Sequence, residues 1–325
     1  MASTQTRRHA LLLTPAEVPE AAKMLRDGAL VAFPTETVYG LGADATSGRA
    51  VARVFAAKGR PAFNPLIVHV AGADQVAALA VMDATARDLA ARFWPGPLTL
   101  VLPLREGHGL SPLVTAGLDT VAIRVPAAPL ARDLLQRVGR PVAAPSANPS
   151  GRVSATRAAH VMDGLGDRVD AVLDGGPCGV GLESTILRTA PLALLRAGGL
   201  AVEEIEAALG RSLPRDMTPG KVQAPGQLSS HYAPARPLRM GVTSRDRQAV
   251  LIGFGPVSGD LSLSESGDVI EAAARLFDLL HLADSLAAEK GADRIDVAPV
   301  PETGLGRAIN DRLRRAAAPR DMPQP

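Results

Sequence analysis

Ala29-Leu-Val-Ala-Phe33 runs straight into Pro34-Thr-Glu-Thr-Val-Tyr-Gly-Leu-Gly42, a short apolar run followed by a loop rich in hydroxyls and glycine. Two further stretches share that plan. Lys58-Gly-Arg-Pro-Ala-Phe-Asn-Pro65 leads into the strand-like Leu66 to Val70, with His69 inside it, and Pro141 to Ala144 leads into Pro145-Ser-Ala-Asn148. Each junction places small polar side chains and free backbone amides at a sheet edge, where α/β proteins bind ligands. Three such loops in the first half of one chain point to a single site suited to a nucleotide and an amino acid.

The chain has 325 residues, 46% of them hydrophobic, which is long for one core and ample for two. A formal net charge of only +2, with basic residues spread along the chain, argues for an ordinary solvated surface and against a dedicated nucleic-acid binder. The single cysteine, Cys178, excludes an internal disulfide and a cysteine-rich zinc site, and fits a reducing cytoplasm. Arg7-Arg8 is followed by an apolar run from Ala10 to Leu13 only, shorter than the roughly 7 to 15 residues of an export-signal core. No stretch approaches the roughly 18 apolar residues of a membrane span.

Up to about Leu209, β-type runs alternate with helical patterns: Ala29 to Phe33, Leu66 to Val70, Leu98 to Leu102, Val121 to Val125, Ala171 to Leu173, Thr185 to Leu187 and Leu192 to Leu195. This is an α/β layer pattern. Val51, Val54 and Phe55 show helical spacing behind Ser47 as a cap, and Leu130, Leu134, Leu135 and Val138 do the same. A further helix is expected from Ser154 as N-cap through Met162, with its free amides available to an anion. Ser212 to Pro237 holds five prolines and two glycines without periodicity and reads as an extended linker. Strands (Ala249 to Phe254, Arg294 to Val297) and helices (Asp268 to Lys290, Leu305 to Ala317) then resume. The expected architecture is an N-terminal α/β domain over 10–211, a linker over 212–237 and a smaller Rossmann-like α/β domain over 238–318.

No P-loop or dinucleotide fingerprint is present, so any phosphate must be held by other means. Arg60, Arg124 and Arg196 are candidates, since a forked guanidinium suits phosphate and carboxylate. A lone arginine is more often a surface ion pair of little consequence; it is the placement of all three beside loop motifs that singles them out. Arg124 shares a strand face with Thr120 and Ala122, away from Val121, Ile123 and Val125, so it faces a cleft or solvent. His69 fits either a satisfied core histidine or a ligand contact, and Lys58 either a solvated helix end or a phosphate contact. Ser146 has no Gly-x-Ser-x-Gly elbow and no partner placed to activate it, which argues against a hydrolase nucleophile. Glu183-Ser-Thr185 is a second hydroxyl-bearing loop of open meaning. Glu36 suits a general base, a magnesium ligand or a helix start.

Taken in order, the Phe33–Gly42 loop, Lys58-Gly-Arg60 with Asn64-Pro-Leu-Ile-Val-His69, Trp94-Pro-Gly-Pro-Leu-Thr99, Ala122-Ile-Arg-Val-Pro126, Pro145-Ser-Ala-Asn148 and Glu183-Ser-Thr-Ile186 closely resemble the YrdC-like family, over about residues 10 to 210. His231-Tyr-Ala-Pro234 in the linker and Gly304-Leu-Gly-Arg-Ala-Ile-Asn310 extend the resemblance to the two-domain L-threonylcarbamoyladenylate synthases. The resemblance implies a YrdC-like twisted open sheet with helices. It also implies a cytoplasmic nucleotidyltransferase that turns L-threonine, bicarbonate or CO2, and ATP with Mg²⁺ into threonylcarbamoyl-AMP and pyrophosphate for tRNA modification.

Residue by residue, it implies that Thr37, His69, Arg124, the backbone of Ala144, and Ser184 hold L-threonine. Arg60, Asn64, Thr120, Ser146, Ser154, Arg196 and Tyr232 would hold ATP. Lys58 and Arg60 would serve catalysis beside the phosphates, with Tyr232 bringing the linker over the site as a lid. One departure is Gln227-Leu-Ser-Ser230, where the family often carries basic and aromatic residues. A downstream tRNA threonylcarbamoyl transferase complex, a weak tRNA contact and a homodimer are further expectations. Two rivals stand beside this: a double-stranded RNA or tRNA binder, which a stronger positive charge and a single domain would favour, and the carbamoyl-transfer step of hydrogenase maturation, whose cysteine-rich zinc motifs one cysteine cannot supply.

Overall fold

The computed structural model describes residues 9–214, Ala224 and 231–319. Arg7-Arg8, Gln227-Leu-Ser-Ser230 and most of the expected linker lie outside the described residues. Ten strands, β1 (Leu11–Leu13), β2 (Val31–Phe33), β3 (Gly40–Asp44), β4 (Ile67–His69), β5 (Leu98–Pro103), β6 (Thr120–Arg124), β7 (Val142–Ala143), β8 (Ala171–Leu173), β9 (Thr185–Thr189) and β10 (Leu192–Arg196), form one mixed sheet. Their order is β1-β8-β2-β3-β7-β4-β6-β5-β9-β10. Helices α1 (Val18–Arg26), α2 (Gly48–Lys58), α3 (Ala84–Phe93), α4 (Pro112–Thr115), α5 (Pro129–Val138), α6 (Ala158–Leu165) and α7 (Val202–Leu209) cover it.

Strand alternation divides the sheet's two faces. Val31 and Phe33 pack beneath α1 and α5 with Leu25, Leu134 and Leu135, whereas Ala32, Leu41 and Val68 belong to the larger core shared with α2, α3 and α6. The core under α1 and α5 draws its strands from β1, β2, β7 and β8. On the other half of the sheet, Ile67, Val101, Ala122, Ile186 and Leu195 form a separate apolar patch with Ala224. The candidate site opens beside that patch.

Two local features differ from the sequence-based expectation. Gly40 to Gly42, expected as the end of a loop, opens the strand Gly40–Asp44 paired with β2 and β7, because Gly42 lets it close onto Phe33: a Cβ there would sit 2.9 Å from the Phe33 ring. Ser154 is not a helix N-cap. Helix α6 starts at Ala158, and residues 154–156 run extended because the Ala155 carbonyl accepts Tyr39 N–H at 2.8 Å and the Thr156 carbonyl accepts Cys178 N–H at 3.0 Å.

Beyond the linker, β11 (Leu238–Met240), β12 (Ala249–Gly253), β13 (Leu261–Ser262) and β14 (Arg294–Val297) form a parallel sheet in the order β11-β14-β12-β13, with α8 (Val269–Lys290) and α9 (Gly306–Ala317) packed on it. Asp268 caps α8 by accepting Ile270 N–H at 2.7 Å, and Gly291 at φ +65° ends it. Val38, Val153 and Leu182 from the larger domain join the core of the smaller one. At this junction Gly181, at φ +72°, lies so close to α8 that a Cβ would stand 2.5 Å from the Ala273 carbonyl oxygen and from Ala274 Cα. Nearby, His160 of α6 stacks on His281 of α8 at 3.9 Å, and Arg157 bonds Asp278 at 2.6 Å.

Two outcomes follow from this junction. Gly181→Ala adds a methyl where there is no room and imposes a side chain on a left-handed backbone, so it is expected to destabilise the protein by about 1–3 kcal/mol; an unchanged denaturation midpoint would contradict the docking distance. Burial, with the neighbouring His281 and Arg157, lowers the His160 pKa to about 4 even though Asp278 opposes the shift. Both folded and unfolded His160 are therefore neutral above the unfolded value near 6.5, and as pH falls toward 4 only the unfolded chain gains the proton. Melting temperature is expected to drop over that window, and to drop less in His160→Gln.

Candidate active site

Parallel pairing of β4 with β6 sets His69 directly beside Arg124 at the ends of their strands. Arg124 is buried, donating from Nη1 to Thr37 Oγ1 at 2.7 Å, from Nη2 to Glu36 Oε1 at 2.6 Å and from Nε to the Gly96 carbonyl at 3.1 Å. A guanidinium carries five N–H groups, so two remain for a ligand. Burial raises the Glu36 pKa, but the Arg124 charge together with hydrogen bonds from Arg124 and the backbone outweighs it and holds the carboxyl below its usual range. Glu36 lies in no helix; it orients Arg124. Burial and Arg124 push the His69 pKa down to about 3, so its imidazole is neutral, and its buried Nδ1 has no hydrogen-bond partner among the described residues. A buried polar atom left unpaired is costly unless a ligand meets it.

Across the cavity, Ser184 Oγ shares a hydrogen bond with Thr99 Oγ1 at 2.7 Å, and Arg196 Nη2 donates to the Ser184 carbonyl at 2.8 Å. The Ala144 N–H donates to the Ile67 carbonyl at 2.9 Å, which leaves only the Ala144 carbonyl for a substrate.

The Lys58 and Arg60 placements come from the end of α2, where Gly59 at φ +60° turns the chain. Lys58 is buried, not solvated. Its Nζ donates to the Ser146 carbonyl at 2.5 Å and to the Asn148 carbonyl, and burial with Arg60 lowers its pKa well below the usual lysine value. Arg60 is held by its own loop, donating to Asn64 Oδ1 at 2.7 Å and to the Pro65 carbonyl at 2.8 Å, and burial lowers its pKa to about 10. Neither Lys58 nor Arg60 forms a salt bridge with a carboxylate among the described residues. Taking cations out of water without counter-ions costs several kcal/mol each, so this pair marks a place for a negatively charged ligand.

The cavity lies among these groups and opens to solvent. Thr37, His69, Arg124, Ala144 and Ser184 line it together with Arg60, Ser146, Arg196 and Tyr232. Asn64 and Ser154 stand behind the wall: Asn64 braces Arg60, and Ser154 Oγ donates to Glu183 Oε1 at 2.5 Å. Thr120 lies four residues up the strand from Arg124, half-exposed and off the cavity wall. His231 and Glu183 line the cavity too, although the sequence singled them out only as parts of motifs. Burial, reinforced by Lys58, Arg60, Arg196 and Arg312, drives the His231 pKa well below its usual value. No cluster of three or more His, Cys, Asp or Glu side chains able to hold a metal exists among the described residues, and Glu183 of the cavity wall and Glu36 behind Arg124 are each bound by an arginine. The donor set does not suit a resident metal ion.

The family described as telomere recombination, which groups Sua5, YciO and YrdC proteins, matches residues 23–198, and the threonylcarbamoyl-AMP synthase C-terminal domain matches residues 200–318. The threonylcarbamoyl-AMP synthase of Bacillus subtilis (strain 168) is 43% identical, covering 94% of each chain. That of Pyrococcus abyssi is 42% identical, covering 91% of this chain and 93% of its own. The crystal structure of P. abyssi Sua5 complexed with L-threonine superposes with a TM-score of 0.86 at 39% identity, covering 95% of this chain and 98% of that one. Both domains, in order and nearly end to end, match, and the chain belongs to the threonylcarbamoyl-AMP synthase family.

Proposed function

We propose that the chain joins L-threonine, bicarbonate or CO2, and magnesium-bound ATP into threonylcarbamoyl-AMP and pyrophosphate, acting as a nucleotidyltransferase. The observation that carries this is that Arg60 and Arg196, both buried, line one cavity with a second anion site at Arg124, while buried Lys58 stands behind the wall on the carbonyl of the lining Ser146. Two anion sites in one enclosure suit two anionic substrates. The amine of threonine forms a carbamate with CO2, releasing a proton, and a carbamate oxygen then attacks the α-phosphorus of ATP as pyrophosphate leaves. Such a displacement needs alignment and charge neutralisation more than a protein nucleophile. The fixed hydroxyls and cations of the cavity supply both.

In this assignment the threonine carboxylate takes the two remaining N–H groups of Arg124, and the neutral His69, Ser184 and the Ala144 carbonyl surround its amine and hydroxyl. Lys58, Arg60, Arg196 and Ser146 face the nucleotide, with Asn64 and Ser154 bracing them. Thr120 completes the ATP set from further along β6. Magnesium arrives with the triphosphate as part of the substrate. Tyr232, at the end of the linker, closes the nucleotide side as a lid. No described helix is long and apolar enough to cross a membrane, and we place the reaction in the cytoplasm. The product goes to a tRNA threonylcarbamoyl transferase complex. A net charge of +2 supports a weak tRNA contact at most, and a homodimer belongs to the same proposal.

Mass spectrometry of the purified protein with ATP, Mg²⁺, bicarbonate and L-threonine is expected to show threonylcarbamoyl-AMP only in the complete mixture, with pyrophosphate release following the same pattern. Binding of neither ATP nor threonine would overturn the synthase assignment and favour an RNA binder. Arg124→Ala removes the charged partner of the threonine carboxylate, so its KM for threonine is expected to rise about 10- to 150-fold, and its KM for ATP far less. Equal effects on both would place the carboxylate elsewhere.

A further inference from the structure

Arg312 ties the smaller domain into the cavity. It sits on α9 yet is fully buried, and its donors reach across the domain junction. Nε donates to Glu183 Oε2 at 3.0 Å and Nη1 to the Ala197 carbonyl at 2.6 Å, both in the larger domain, while Nη1 also meets Asp311 Oδ2 at 3.1 Å. Glu183 lines the cavity, and its second oxygen accepts the Ser154 hydroxyl. The guanidinium carbon stands 5.4 Å from the centre of the Tyr232 ring, within reach of cation–π attraction. Tyr232 is held there at φ +62°, a backbone conformation that a tyrosine adopts only under constraint, with Phe277 of α8 stacked at 5.6 Å. One turn along α9, the Arg315 carbonyl accepts the His231 N–H at 3.2 Å. A single helix of the smaller domain thus grips both the Glu183–Ser154 wall and the His231–Tyr232 roof.

A fully desolvated arginine–carboxylate pair contributes little net stability, because dehydration offsets the attraction. What it supplies is direction: the planar fork holds a carboxylate in one orientation. We propose that Arg312 is a positioning residue for the nucleotide side of the cavity, through which docking of the smaller domain completes the ATP site. The inference rests on the synthase assignment, since the nucleotide-side roles of Ser154 and Tyr232 hold only within it. Arg312 touches neither substrate; it acts through Glu183 and Tyr232, so its loss loosens ATP and leaves the Arg124 wall in place.

The test uses the full chain as wild type, Arg312→Met and Arg312→Lys, measuring KM for ATP and for L-threonine, kcat, melting temperature, and calorimetric affinity for a non-hydrolysable ATP analogue. In Arg312→Met the ATP KM and the analogue's Kd are expected to rise by about 10- to 100-fold while the threonine KM moves less than about threefold. Arg312→Lys keeps the charge and loses the fork, so it is expected to fall between wild type and Arg312→Met. A merely structural role would lower the active fraction and leave the ratio of the two KM values unchanged. That unchanged ratio in folded Arg312→Lys overturns the proposal, even should Arg312→Met fail to fold. Wild-type protein that binds the analogue but makes no threonylcarbamoyl-AMP would defeat the synthase assignment instead, and the analogue's Kd would still decide the role of Arg312.

Discussion

Positive charge held out of water is the constraint on which the rest of this structure depends. Burial depresses the basicity of Lys58, Arg60 and Arg196, with Arg60 adding to the effect at Lys58 and Arg196 to that at Arg60, and Lys58 and Arg60 are satisfied by backbone carbonyls and an asparagine oxygen in place of carboxylates. Carbonyl dipoles hold a cation in position without cancelling its charge, so the field stays available to an incoming anion. A carboxylate in the same place would have steadied the fold and closed the site. The Arg124 corner is solved differently: Glu36 does pair there, and the arginine keeps two N–H groups free because its fork reaches three partners from three edges.

The smaller domain reaches the same cavity wall. The half of the ten-stranded sheet that carries the site lies outside the core packed beneath α1 and α5. The smaller domain and the linker end close it, bringing Tyr232, His231 and Arg312 over the cations. The junction admits no slack, with Gly181 against the backbone of α8 and two histidines stacked beside it. Exclusion of water strengthens every charge interaction inside, which is what phosphoryl chemistry at such a site requires.

Much of this was legible in the residues. The apolar runs located ten of the strands within a residue or two, Ser47 and Gly59 bracket α2 as caps do, and the loop motifs led to Thr37, Arg60, His69, Arg124, Ser146 and Ser184, all of which line one cavity. Where local pattern misled, a long-range contact was responsible. Ser154 looks like an N-cap and instead bonds Glu183, because the carbonyls of the next two residues, Ala155 and Thr156, are taken by the N–H groups of Tyr39 and Cys178. Gly40 to Gly42 looks like the end of a loop and opens a strand, because glycine permits contact with the Phe33 ring. Arg312 carries no local signal; it is one of several arginines on an amphipathic helix, and only the neighbours supplied by the other domain distinguish it.

The amino-acid sequence by itself determined the α/β class, the succession of two folding units and the chemical types gathered in the loops, because periodicity and turn chemistry act over a few residues. Only the tertiary structure decided which cations are left without carboxylates, that His69 and His231 are neutral, and that α9 reaches into the cavity. Burial and charge pairing are properties of neighbours far apart in the chain, here 129 residues from Glu183 to Arg312. No local pattern encodes them.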